Sequence, residues 1–155
     1  MKLFKAKVED VPRMMKCARL CCEEHGAEVV GGHLDAEHYQ HTWENMIAGG
    51  TGVMFLYEDN GKVVGGIGGA KYPALLSGKM RASQLFIYIL PEYRGAMLSV
   101  RRLMKSLEIW AVENGCSDVV MPLLETMPRR TQSVYVRFGY KLMEMLYRKP
   151  LEVAA

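Results

Sequence analysis

No apolar run in this chain approaches the length of a bilayer-spanning helix, so a membrane span is not expected. Charge of one sign is also scarce. Twenty basic residues against 17 acidic ones leave a net +3, too little to argue for nucleic acid as a partner. Cysteine is sparse and badly placed for cross-linking: Cys17, Cys21 and Cys22 crowd one stretch, Cys116 stands alone, and there is no Cys-x-x-Cys pair. That pattern is neither a disulfide framework nor a zinc knuckle, so reduced thiols in a cytoplasmic compartment are expected. Met1 to Asp10 lacks the apolar core of a signal peptide, which agrees with that location. No linker, repeat or low-complexity stretch divides the 155 residues, half of which are hydrophobic. One domain with its own core is expected over residues 1–149, followed by a short tail, 150–155.

Local patterns order the chain. Lys2 to Val8 alternates as a strand does, and Asp10 and Pro12 suit the start of a helix. Val11, Met14, Met15, Ala18, Cys21 and Cys22 then recur at helical spacing up to Gly26. A second helix fits Ala36 to Ala48, capped by Asp35, with Tyr39, Trp43, Met46 and Ile47 on one side. Thr51 to Glu58 and Lys62 to Tyr72 are strand-like runs joined through Asp59-Asn60-Gly61, a strong hairpin signal. Gly65, Gly66, Gly68 and Gly69 weaken the second run unless another group must come close to it. Met80 to Leu90 reads as a strand and Gly95 to Asn114 as the longest helix. Ser117 to Leu124 reads as a short buried strand, Thr126 as the cap of a helix from Pro128 to Arg137, and Tyr140 to Lys149 as a last strand. The order β-α-α-β-β-β-α-β-α-β describes a mixed α/β domain.

Two segments carry chemistry. In Leu85-Phe-Ile-Tyr-Ile-Leu-Pro-Glu-Tyr-Arg-Gly95 an apolar strand runs into a turn and at once into the long helix. The first N–H groups of that helix lack backbone partners and make a seat for a phosphate anion. Ser133-Val-Tyr-Val-Arg-Phe-Gly-Tyr140 adds a second element holding a proton donor, Tyr135. Together they resemble the GNAT superfamily of acyl-coenzyme A N-acyltransferases. The family signature reads Gln or Arg, two variable residues, Gly, one variable residue, then Gly or Ala. Here Arg94-Gly95-Ala96-Met97-Leu98-Ser99 keeps the leading Arg and its Gly, while Met97 and Ser99 replace the two later glycines. The likeness spans nearly the whole chain, and the finer one is to small bacteriophage-encoded members.

The resemblance implies a single-domain fold with a mixed, mostly antiparallel central sheet, splayed strands and helices on both faces. It implies acetyl-CoA as cofactor, with the backbone of Arg94, Gly95, Ala96, Met97, Leu98 and Ser99 around its pyrophosphate. Ile87, Ile89 and Leu90 match the strand whose exposed backbone pairs with the pantetheine arm, and the N–H near Ile89 would face the thioester carbonyl. Tyr135 matches the residue that eases departure of the thiolate. The same side chains also read as ordinary packing: Phe86, Ile87 and Ile89 as core, and Tyr135 as a helix-to-sheet contact. Met97 is the departure that bears on the cofactor seat.

An amine acceptor must lose a proton, yet Ala82 to Ile89 contains no acid, and Gln84 cannot serve as base. A water relay, Glu125 or a histidine remain open. His38 and His41 share a helix, but no carboxylate or thiol completes a set, and no metal is expected. Arg101 and Arg102 are within the reach of a 3′-phosphate in principle, with a solvated face the plainer reading. The chain is therefore expected to be an N-acetyltransferase acting on a small-molecule or protein amine by direct attack. The alternative is a GNAT-fold binding protein with a degraded cofactor loop. A homodimer is compatible with such folds, and no stripe in the sequence marks an interface.

Overall fold

The computed structural model describes residues 1–95 and 97–152, without the side chains of Glu28, Val29, Met97 and Leu98. Strand β1 (Lys2–Lys5) leads into a 3-10 turn (Val8–Met14), then helices α1 (Met15–His25), α2 (Ala27–Val30) and α3 (Ala36–Ala48). Strands β2 (Gly52–Asp59), β3 (Lys62–Pro73) and β4 (Met80–Ile89) follow, with helix α4 (Met97–Glu113), strand β5 (Val119–Val120) and helix α5 (Arg129–Arg137) closing the order. The five strands lie in the order β1-β2-β3-β4-β5, antiparallel except for the parallel pair β4 and β5. This is the mixed, mostly antiparallel sheet with helices on both faces that the sequence led us to expect.

Local chemistry explains the elements that came out as read. Asp35 caps α3, its carboxylate accepting from the His38 N–H at 2.9 Å. Asp59 pairs with Lys62, leaving Asn60 and Gly61 as a two-residue turn with φ of 48° and 78°. Both positions lie in the left-handed region that such hairpin turns demand.

The glycines of β3 are spaces for neighbours within the chain. A Cβ on Gly68 would meet Trp43 of α3 at 2.5 Å and Phe86 of β4 at 2.4 Å. One on Gly69 would meet Leu107 of α4 at 2.7 Å. Successive residues of a strand point to opposite faces, so α3 covers one side of the sheet and α4 the other. Trp43 is core, set edge-on to Phe86 with ring centroids 5.6 Å apart.

Four expectations need correction. The first strand ends at Lys5, not Val8, and Thr126 does not cap α5: Pro128 precedes that helix, and the Thr126 hydroxyl meets His25 Nδ1 at 2.8 Å. The strand expected over Ser117 to Leu124 shrinks to Val119–Val120, because Pro122 has no N–H for a ladder. The strand expected over Tyr140 to Lys149 does not form; residues 140–152 have no regular structure, with Leu146 and Tyr147 among the most exposed side chains. Its apolar residues stand side by side, as in Leu142-Met143 and Met145-Leu146-Tyr147, and so define no single face.

Candidate active site

The site begins with a notch in the sheet. β5 meets β4 at Ala82 and Ser83 only, and Ala82 donates to the Asp118 carbonyl at 3.0 Å. Past that point the strands part. A bulge at Gly68/Gly69 skips Leu85, so β4 carries one extra residue and bends where the separation starts.

Backbone directions along the freed part of β4 follow from one bond. Leu90 donates to Val64 of β3 at 2.9 Å, so its N–H is spent on the neighbouring strand. Antiparallel pairs alternate, which turns Tyr88 and Phe86 toward β3 and leaves the N–H and C=O groups of Ile87 and Ile89 facing the open edge. Of the expected trio, Ile87 and Ile89 thus present backbone to the notch. Leu90 does not present its N–H, and its side chain is core.

The far side of the notch carries Tyr135. It is buried in α5, and its hydroxyl donates to the carbonyl of Pro122, just beyond β5, at 3.3 Å. That is long for an O–H···O bond, so the hydroxyl is only lightly held. Burial pushes its pKa up, which keeps the phenol protonated. Tyr140 packs on Tyr135 with ring centroids 5.9 Å apart and donates to Glu108 of α4 at 2.8 Å. Arg101 lies over the Phe138 ring at 5.3 Å. These contacts dock the end of α5 on α4.

The turn into α4 is built as follows. Pro91–Tyr93 form a 3-10 turn, with Tyr93 donating to Asp59 at 3.1 Å. Arg94 is partly exposed, yet its side chain folds back onto the chain. Its Nε donates to the Ile89 carbonyl at 2.7 Å, and its terminal nitrogens hold both oxygens of Glu24 at 2.8 and 2.6 Å. Gly95 is exposed, its φ is ordinary, and a Cβ placed there would have nothing within 4 Å. Ala96 lies outside the described residues. Met97 and Leu98 belong to the first turn of α4, and their side chains are outside the description too. Ser99 is buried, and its carbonyl accepts from the Tyr57 hydroxyl at 3.0 Å.

Sequence reasoning missed Glu24 and Tyr88. The Tyr88 hydroxyl donates to Glu24 at 2.9 Å, and burial followed by that carboxylate pushes its pKa up to about 12. Arg94 holds the Glu24 carboxyl below the usual range. Nothing in the sequence announces a pair separated by 70 positions. Cys17 and Cys21 are pushed up to about 11 by burial, which leaves them poor nucleophiles near neutral pH. The histidines do not assemble: among the described residues there is no group of three or more side chains placed to hold a metal ion. No helix among them is long and apolar enough to cross a membrane.

An open strand edge beside the first turn of a helix suits an extended amide-bearing arm that ends in a diphosphate. Comparison with known proteins bears on the fold and the family. No curated protein sequence matches the chain. The fold matches a ribosomal-protein-alanine N-acetyltransferase from Brucella melitensis biovar Abortus 2308, with a TM-score of 0.70, 13% identity, and 97% and 100% of the two chains covered. It matches a predicted acetyltransferase with acetyl-CoA from Clostridium acetobutylicum, with a TM-score of 0.74, 15% identity and coverage of 96% and 95%. It also matches AAC(6')-Iy in complex with the bisubstrate analogue CoA-S-monomethyl-acetylneamine, with a TM-score of 0.72, 16% identity and coverage of 97% and 98%. Residues 16–140 match the family model described as acetyltransferase (GNAT) family. The chain belongs to the GNAT family of acetyltransferases, a family that uses acetyl-CoA as acyl donor.

Proposed function

We propose that the chain is an N-acetyltransferase in which a primary amine attacks the donor directly. The observation that carries this reading is the pairing of an open β4 edge at Ile87 and Ile89 with a protonated, lightly held Tyr135 across the notch. Bound acetyl-CoA supplies an acyl group already activated as a thioester. Backbone at Ile87 pairs with the donor's amide arm, and first-turn N–H groups of α4, from Met97 to Ser99, donate to its diphosphate. Gly95 leaves that approach free of side-chain bulk.

The Ile89 N–H is the donor placed for the carbonyl oxygen, where negative charge grows as the amine adds. Tyr135 gives up its weak bond to Pro122 and donates to the departing sulfur. A free thiol has a pKa of about 8.5, so a nearby phenol lowers the cost of expelling the thiolate. No acid lies on β4 to take the amine's proton, and Gln84, buried there with its Oε1 unpartnered, is no base. Water carries protons from the nitrogen to solvent, one from the adduct as the amide forms and one beforehand if the amine arrives charged, and Tyr135 regains from water any proton it gives the sulfur. The acceptor is a small-molecule or protein amine, with α1, α3 and Tyr39 forming the wall beside it.

The test is a panel of amines with acetyl-CoA, followed by thiol release, repeated with Tyr135→Phe. Turnover is expected to fall by roughly 100-fold or more in the variant with KM for acetyl-CoA little changed, as for a general-acid role. Equal turnover in the variant removes Tyr135 from the chemistry. Absence of release with every amine overturns the reading.

A further inference from the structure

Three of the contacts described above converge on one residue that the reaction scheme does not use. Glu24, near the end of α1, takes both terminal nitrogens of Arg94 and the Tyr88 hydroxyl. Arg94 closes on the Ile89 carbonyl through Nε, and its guanidinium carbon lies 4.9 Å from the centre of the Tyr88 ring. A bidentate arginine–carboxylate pair, with a third donor on the same carboxylate, is a directional joint. It ties together α1, the last rungs of β4 and the turn before α4.

We propose that Glu24 is a positioning residue for the acyl donor: through Arg94 it fixes the turn from β4 into α4 and closes the open edge of β4 just beyond the Ile89 N–H. This rests on the donor-binding reading above. Arg94 is then a strut and not a ligand of the donor's phosphates. An extended arm lying along β4 finds the N–H and C=O of Ile87 and the N–H of Ile89. The next group, the Ile89 carbonyl, is already taken by Arg94. Pairing therefore stops on a hydrogen-bond donor, the group that an oxygen gaining negative charge requires. The charge of the guanidinium is balanced within the chain, and the joint stays ionised around neutral pH because Arg94 keeps the Glu24 carboxyl below its ordinary range.

Removing the carboxylate distinguishes the two roles of Arg94 by sign. A phosphate-binding Arg94 would be freed by Glu24→Gln, and coenzyme A would bind as well or more tightly. A strut loses its anchor, and binding weakens. The full chain and its Glu24→Gln and Glu24→Asp variants are titrated with coenzyme A by calorimetry. Amide hydrogen exchange is followed in the ligand-free proteins over the turn from Leu90 to Gly95, with β2 as internal reference.

The glutamine variant is expected to bind coenzyme A roughly tenfold more weakly, in line with loss of a charge-assisted pair. Its turn exchanges faster while β2 is unchanged, and aspartate recovers part of both effects. Binding equal to or tighter than wild type, unchanged exchange in the turn, or an aspartate variant no better than glutamine in both readouts overturns the proposal. Wild-type protein that takes up no coenzyme A overturns the donor-binding reading instead, and the exchange data then decide the strut by themselves.

Discussion

Ionisable side chains around the notch are shifted in opposite directions, and the signs fix how the protein responds to pH. Arg94 lowers Glu24, and Arg81, bonded to Asp118 at 2.9 and 2.6 Å, lowers that carboxyl. A depressed carboxylate contributes stability above its unfolded pKa of about 4, and the contribution is lost as pH falls. Burial raises Tyr135 and Tyr88, and burial with Glu108 raises Tyr140. A raised phenol contributes stability below its unfolded pKa of about 10, and the contribution is lost as pH rises. Urea midpoints are therefore expected to be flat from about pH 5 to 9 and to drop on either side. A midpoint that climbs between pH 7 and 11 contradicts the phenol assignments. Tyr135 could be nominated from the sequence because the spacing to Gly139 that likens it to the family's Tyr is local. Glu24 could not, since its meaning comes entirely from an arginine that only folding brings near it.

Among elements, β3 shows most plainly how packing dictates sequence. Gly68 gives up a side chain so that Trp43 and Phe86 can meet edge to face through the space it leaves. Gly68→Ala is expected to destabilise the protein by about 1–3 kcal/mol, the usual cost of overfilling a packed core. Gly95→Ala is the contrast, with open space and an ordinary backbone, and its melting temperature is expected to match wild type. Thermal unfolding of the pair checks both, and equal losses would mean that crowding is not what selects glycine in β3. The elements readable in advance were those set by their own residues: the Asp35 cap, the Asn60-Gly61 turn and the amphipathic α4. Strands at the far edge were not readable. A strand exists only through a partner's backbone, and β5, cut short before Pro122, offers almost none. The apolar letters of residues 140–149 carry no information about that shortage.

For the whole molecule, the sequence indicated one α/β layer arrangement and the family, and folding added how the pieces are joined. α1 and α3 cover one face and α4 the other, while Glu24 and Arg94 connect α1 to the turn before α4. A ligand that recognises only this arrangement stabilises it. At 100 times its Kd, coenzyme A is expected to add about 2.7 kcal/mol. For a chain of this size that corresponds to a rise of very roughly 5–10 °C in Tm. A melting curve that does not move with saturating coenzyme A contradicts donor binding. Because β4 and β5 part after two rungs, the free protein holds a sheet with a missing strand. The visiting thioester arm would be that strand for the length of one turnover, so substrate completes the architecture and product release takes it apart again.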